Sequence, residues 1–146
     1  MRYLPAAISL ALILHASPSV ASSPSEEVHA AIDDMNKAAA KLDADAFMRS
    51  YWHSPDLVIT FDGETMRGWT AILAEQHKWW SDKGAGITFT EERAPEIVAQ
   101  SKDVVTSLQW MKVSRSGSKP SQLVITSVWK KLPEGWRVVV AHETLR

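Results

Sequence analysis

Val28, Ile32, Met35, Ala39 and Leu42 recur at helical spacing and predict a first helix over about residues 24–42. Ser23-Pro24-Ser25-Glu26 in front of them fits a capping box with Pro at the first helical position. Asp43 caps a shorter second helix expected to reach about Trp52, with Phe47 and Tyr51 four apart on one face. His53-Ser54-Pro55 stops it, because the residue before Pro disfavours the helical region. Leu57, Ile59 and Phe61 then alternate with Val58 and Thr60, which is a strand pattern, and Asp62-Gly63 is a turn signal. Gly68 precedes a third helix, about Trp69 to Ser81, with Ile72, Leu73, Gln76, Trp79 and Trp80 as its amphipathic stripe. Lys83-Gly84-Ala85-Gly86 ends it. Three longer β segments follow, about Ile87–Gln100, Val104–Ser114 and Ser121–Leu132, and a last strand runs from Trp136 to Thr144. Turns at 101–103, 116–118 and 133–135 separate them. Helices followed by a run of strands argue for an α+β domain: one curved antiparallel sheet with three helices of the N-terminal half on one side.

At 146 residues this is one domain, long enough to bury a sizeable core. The net charge of −1 is spread along the chain with mixed signs and no basic stripe, which argues against a nucleic-acid partner. The N-terminus changes the picture more. Arg2, the short apolar run Pro5–Leu14 and the small residues Ser19-Val20-Ala21 read as a secretory signal, with cleavage expected after Ala21. Residues 1–21 are then leader and 22–146 the domain, which carries 15 basic and 17 acidic residues once Arg2 is gone. The apolar run is too short to span a bilayer, so no membrane attachment is expected after cleavage. The destination is periplasmic or secreted. With no Cys, a disulfide framework is excluded, and the domain must hold together by its core or by association.

An ordered series of phrases runs through residues 47–142: Phe47-Met48-Arg49-Ser50-Tyr51-Trp52, Ser54-Pro55-Asp56-Leu57, Met66-Arg67-Gly68-Trp69-Thr70-Ala71-Ile72-Leu73 and Gly135-Trp136-Arg137-Val138-Val139-Val140-Ala141-His142. In this order and spacing, over roughly residues 25–144, the chain resembles the nuclear transport factor 2-like (SnoaL-like) superfamily. It is closest to the branch called domain of unknown function 4440, itself similar to the association domain of calcium/calmodulin-dependent protein kinase II. The resemblance implies a sheet wrapped around a helix to make a cone with an open mouth. It implies no particular reaction, because the superfamily holds enzymes and non-enzymes alike.

The last strand carries the first candidate. Strict alternation puts Trp136, Val138, Val140, His142 and Thr144 on one face and Arg137, Val139, Ala141 and Glu143 on the other. The related branch usually reads Gly-Trp-Arg-Ile-Val-His-x-His-x-Ser here; Val140 replaces the first His and Thr144 the Ser, while His142 is retained. His142 is therefore either a hydrogen-bonded structural residue or a pocket ligand and proton carrier. His77, on the third helix, is a rim or pocket residue. Asp56, at the start of the first strand, is the candidate base, since enzymes of this fold such as ketosteroid isomerase use an Asp inside the cone. The tyrosine-plus-two-aspartate set of that isomerase and the Asp-Arg-Asp set of the similar epoxide hydrolases find no counterpart here. Arg67, in the family's Arg-Gly-Trp phrase, either orders the loop before the third helix or holds a carboxylate at the mouth.

The aromatic set is the strongest ligand feature. Tyr51, Trp52, Phe61, Trp69, Trp80 and Trp110 come from elements that converge in the family fold, and they either fill the core or line a pocket. Trp129 follows Val128 on a strand and is open to pointing outward, where it would favour a subunit interface. No nucleophile elbow, phosphate loop or His pair at metal-ligand spacing is present, so neither a cofactor nor a metal is expected. Three functions stay open: a small organic ligand held in the cone of a sheet-paired homodimer, an isomerase, cyclase or hydrolase using Asp56 or His142, and an association domain.

Overall fold

Ser23 Oγ accepts from Glu26 N at 3.3 Å while the Glu26 carboxylate accepts from Ser23 N at 2.7 Å, so the capping box opens α1 (Pro24–Ala40) as expected. The computed structural model describes residues 21–146; the expected leader, apart from Ala21, lies outside them. Asp43 caps α2 (Ala44–Met48) through its side chain. This helix is shorter than expected. Ser50 O accepts from Val138 N and Trp52 N donates to Val138 O, both at 2.9 Å, so the last strand captures this backbone as a parallel bridge at Tyr51.

Strand β1 (Val58–Phe61) turns at Asp62-Gly63 into β2 (Glu64–Arg67), a short edge strand that alternation alone did not reveal. Helix α3 (Trp69–Trp79) and a 3-10 turn (Lys83–Ala85) lead to β3 (Thr88–Ala99), β4 (Val104–Ser114), β5 (Ser121–Leu132) and β6 (Gly135–Leu145). The sheet order is β2-β1-β6-β5-β4-β3. It is a curved, unclosed six-stranded sheet with the three helices packed on it. One expectation is corrected: β1 runs parallel to β6, so the sheet is mixed rather than antiparallel. One α-helix and four strands separate the two in sequence, long enough for the crossover that parallel pairing requires.

The core lies between α1 and the inner face of the sheet. Val28, Ile32 and Met35 meet Trp129, Val138 and Val105 in one buried cluster. Register shifts in β3 and between β5 and β6 bend the strands around it.

The shift in β6 decides the site. Trp129 pairs with Val138 and Val128 with Val140, which leaves Val139 as an extra residue. Trp136 and Val138 are buried before the bulge; after it, Ala141 is buried and His142 exposed. The single-face reading of β6 is thereby overturned. An added residue shifts a two-residue period by one, so His142 points out and Glu143 in.

Candidate functional site

Register lines up the inner face in rows. Phe61 pairs with Glu143, Glu143 with Ile125, and Ile125 with Gln109, so these four side chains cross four strands in one row. Leu145, Leu123 and Met111 form the next. Between these rows and α1, α2 and α3 lies an open cavity of about 440 Å³. Its wall is mostly apolar, with Met35, Phe47, Phe61, Trp79, Trp80 and Phe89 among its residues. The aromatic rings touch one another: Phe61 and Trp79 lie 5.7 Å apart by centroids, Phe47 and Trp80 5.0 Å, and Trp80 and Phe89 5.8 Å.

Polar groups are few in this wall. Asn36 on α1 and Gln76 on α3 contribute amides, Glu143 contributes a carboxyl, and Arg115, Ser118, Lys119 and Ser121 lie where the β4–β5 hairpin joins the wall. Burial pushes that carboxyl up to about 7, and the neighbouring Asp62 adds to the effect by repulsion. Asp62 is itself held at the β1–β2 turn: its N donates to Glu143 O at 3.0 Å and its Oδ1 accepts from Leu145 N at 2.8 Å. Tyr51, buried beside Phe47, keeps its phenol protonated well above the usual range, first through burial and then through the charge of Glu143. Gln109 is 1 % exposed, and its amide atoms and Ser127 Oγ lack a hydrogen-bond partner among the described residues. An ordered water is the ordinary partner of such groups.

Of the residues singled out in sequence, Phe61 and Trp80 line this cavity, and Tyr51 lies buried in the adjoining core. The others lie elsewhere. His142 is on the outer face, with Nδ1 2.7 Å from Thr60 Oγ1 and Nε2 3.3 Å from Thr144 Oγ1. Trp110 is also on the outer face, because β4 buries Val105, Ser107, Gln109 and Met111 instead; the Arg93 guanidinium sits 3.1 Å from its ring centroid. Trp129 points inward, is 0 % exposed and donates to Ser107 Oγ at 2.9 Å, so its outward alternative is corrected.

Trp69 donates its indole N–H to Met48 O at 2.9 Å and stacks on His53 at 4.1 Å. Trp52 is half-buried, and Arg67 is exposed on the edge strand β2. His77 is exposed, with Nε2 3.4 Å from Asp45 Oδ1. Asp56 is exposed in the loop ahead of β1, where its N donates to Ser54 Oγ at 3.1 Å. Neither residue named as a candidate acid or base lines the cavity. The carboxyl that does, Glu143, is hidden in the sequence because regular alternation puts it on the face opposite His142. Among the described residues, no group of three or more His, Asp or Glu is gathered to hold a metal.

A sequence model of the SnoaL-like domain matches residues 28–144. No curated protein matches the chain. Solved structures agree in fold. A nuclear transport factor 2-like protein of unknown function from Shewanella oneidensis MR-1 is 23% identical, with a TM-score of 0.72 over 83% of this chain and 98% of that one. A protein of unknown function of the DUF3225 family from Pectobacterium atrosepticum SCRI1043 is 27% identical, with a TM-score of 0.67 over 84% and 90%. A Thiobacillus denitrificans ATCC 25259 protein named for the calcium/calmodulin-dependent protein kinase type II association domain is 18% identical, with a TM-score of 0.68 over 86% and 97%.

Proposed function

We propose, for a chain that belongs to the SnoaL-like domain family, that the cone binds a small, mainly apolar organic molecule. One observation carries this reading: an open cavity of about 440 Å³ with an aromatic wall and a minority of polar groups, among them Asn36, Gln76 and Glu143. Small-molecule sites have volumes of roughly 300–1,000 Å³ and the same balance of apolar wall and few polar anchors. Nile red, a neutral apolar dye, is expected to bind saturably with enhanced fluorescence. Ile125→Trp puts an indole into the cavity from β5, and its expected effect is at least a tenfold loss of dye affinity, about 1.4 kcal/mol, with folding retained. Unchanged binding in that variant would place the dye elsewhere.

A second reading, proton transfer inside the cone, is favoured by Glu143 alone. A carboxyl that titrates near 7 is a serviceable acid or base at neutral pH. That reading falls if Glu143 titrates in the ordinary carboxylate range.

Export and self-association belong to the same proposal. The outer face of the sheet supports pairing: Val58, Val140, Val128 and Val98 lie along one cross-strand row with Thr106. Val140 is 45% and Val98 55% exposed, and a stable pair needs only about 800 Å² from each partner. Protein recovered from an expressing cell's exported fraction is expected to begin at Ser22 and to sediment as a dimer. Val140→Glu is expected to sediment as a monomer; a variant that still sediments as a dimer would move the interface off this face.

A further inference from the structure

The charges around the cavity are not mixed. Among the described residues that line it, only Arg115, Lys119 and Glu143 carry ionisable charge. The two cations stand together on one side. Val113 and Ser121 are the last ladder pair of the β4–β5 hairpin, and Arg115 and Lys119 continue the inner-face alternation one step beyond it. Among the described residues neither has a carboxylate within 4.0 Å.

The hairpin that carries these cations is fastened over the mouth. Ser116 N donates to Ala85 O at 3.0 Å, and Ser118 N donates to Arg115 O at 3.1 Å. Gly86, with φ +60, lies so close that a Cβ there would collide with Ser116 Oγ. The rim is therefore a placed structure rather than a free loop.

Glu143 lies at the other end. Its row partner Ile125 is six residues along β5 from Lys119 (125 − 119), about 20 Å of strand. Between them the wall is Ile125, Leu123, Met111 and Val113, without a charge. At the inner end a second negative group on the ligand would meet Glu143 and be repelled.

The geometry points to an amphipathic monoanion as the ligand class: an apolar chain or ring system ending in a single carboxylate. The carboxylate lies against Arg115 and Lys119, the apolar body runs along the wall, and the far end meets Glu143 without a charge of its own. This rests on the reading of the cavity as a small-molecule site.

The experiment is competition against bound Nile red at pH 8 by decanoate, 1-decanol and decanedioate, all below their aggregation limits. A site that reads only hydrophobicity favours the alcohol, which is the less soluble in water. The cation rim is expected to make decanoate about tenfold the better competitor, the size of two partly exposed ion pairs. Decanedioate is expected to compete worse than decanoate. In Arg115→Glu/Lys119→Glu, the decanoate-to-decanol ratio, read within each protein so that dye affinity cancels, is expected to fall to one or below. Raising salt on the unmodified protein is expected to weaken decanoate and leave decanol alone. Equal competition by acid and alcohol, or a preference that survives both charge reversal and salt, overturns the inference while leaving the cavity reading intact. If Nile red itself does not bind, the cavity reading fails and this inference fails with it.

Discussion

Trp129→Ala is expected to remove about 3–5 kcal/mol of stability, a large share of what a domain of this size possesses. Trp129 is 0% exposed on the inner side of β5, in the cluster with Val28, Ile32, Met35 and Val138. Among the described residues no other side chain of comparable size is so completely enclosed. Its removal opens a cavity and leaves Ser107 Oγ, which accepts its N–H at 2.9 Å, next to Ser127 Oγ, already without a partner. Urea unfolding should show a lower midpoint with little change in slope. Trp129→Phe is expected to cost less, because much of the volume stays while the hydrogen bond is lost. A cost below about 1 kcal/mol for the alanine variant would mean that α1 does not seal this part of the sheet.

Glu143→Gln is expected to make the protein more stable above pH 7 and to leave it nearly unchanged below pH 4.5. In the folded protein the carboxyl holds its proton until about 7; in the unfolded chain it releases it near 4.5. Between those values the unfolded state binds fewer protons, so stability falls as pH rises. The contribution is fully present below the unfolded value and is gone once pH has passed through the folded one. The full difference corresponds to an upper limit of about 3 kcal/mol, reduced to the extent that water enters the open cavity. Unfolding free energies of both proteins, measured from pH 4 to 8, give the comparison directly. If the glutamine variant is no more stable at pH 8, the carboxylate is solvated or paired when ionised, and burial does not raise it.

Much of the frame is legible in one dimension. Ser23 and Glu26 mark the start of α1 because a capping box is a contact between residues three apart. The breaks at 101–103, 116–118 and 133–135 divide the long strands because Gly, Pro, Asp and Ser favour turns locally. The phrases running from Phe47 to His142 identify the family, and with it the cone. Strand β2 was less visible, since four residues are too few to display an alternation.

The candidate site was read less well, and for one cause in several forms. Trp110 and Trp129 are both aromatic positions on long strands, yet Arg93 covers the first on the outer face and α1 covers the second on the inner. Composition does not distinguish the two faces of a strand whose alternate residues are all partly apolar. Arg115 and Lys119 flank the turn at 116–118, and only the hydrogen bond from Ser116 to Ala85 fastens that hairpin beside the cavity.

What the amino-acid order determined by itself is everything that depends on neighbours: helix starts, turns, the period of each segment, and the family those phrases belong to. What only the tertiary structure decided is which way β6 faces after Val139. Whether a strand takes up an extra residue depends on how Trp129 and Val128 pair across from it, and on β1 lying parallel on its other side. Those partners come from distant parts of the chain. Because side chains alternate with a period of two, that single residue exchanges His142 for Glu143 inside the cone.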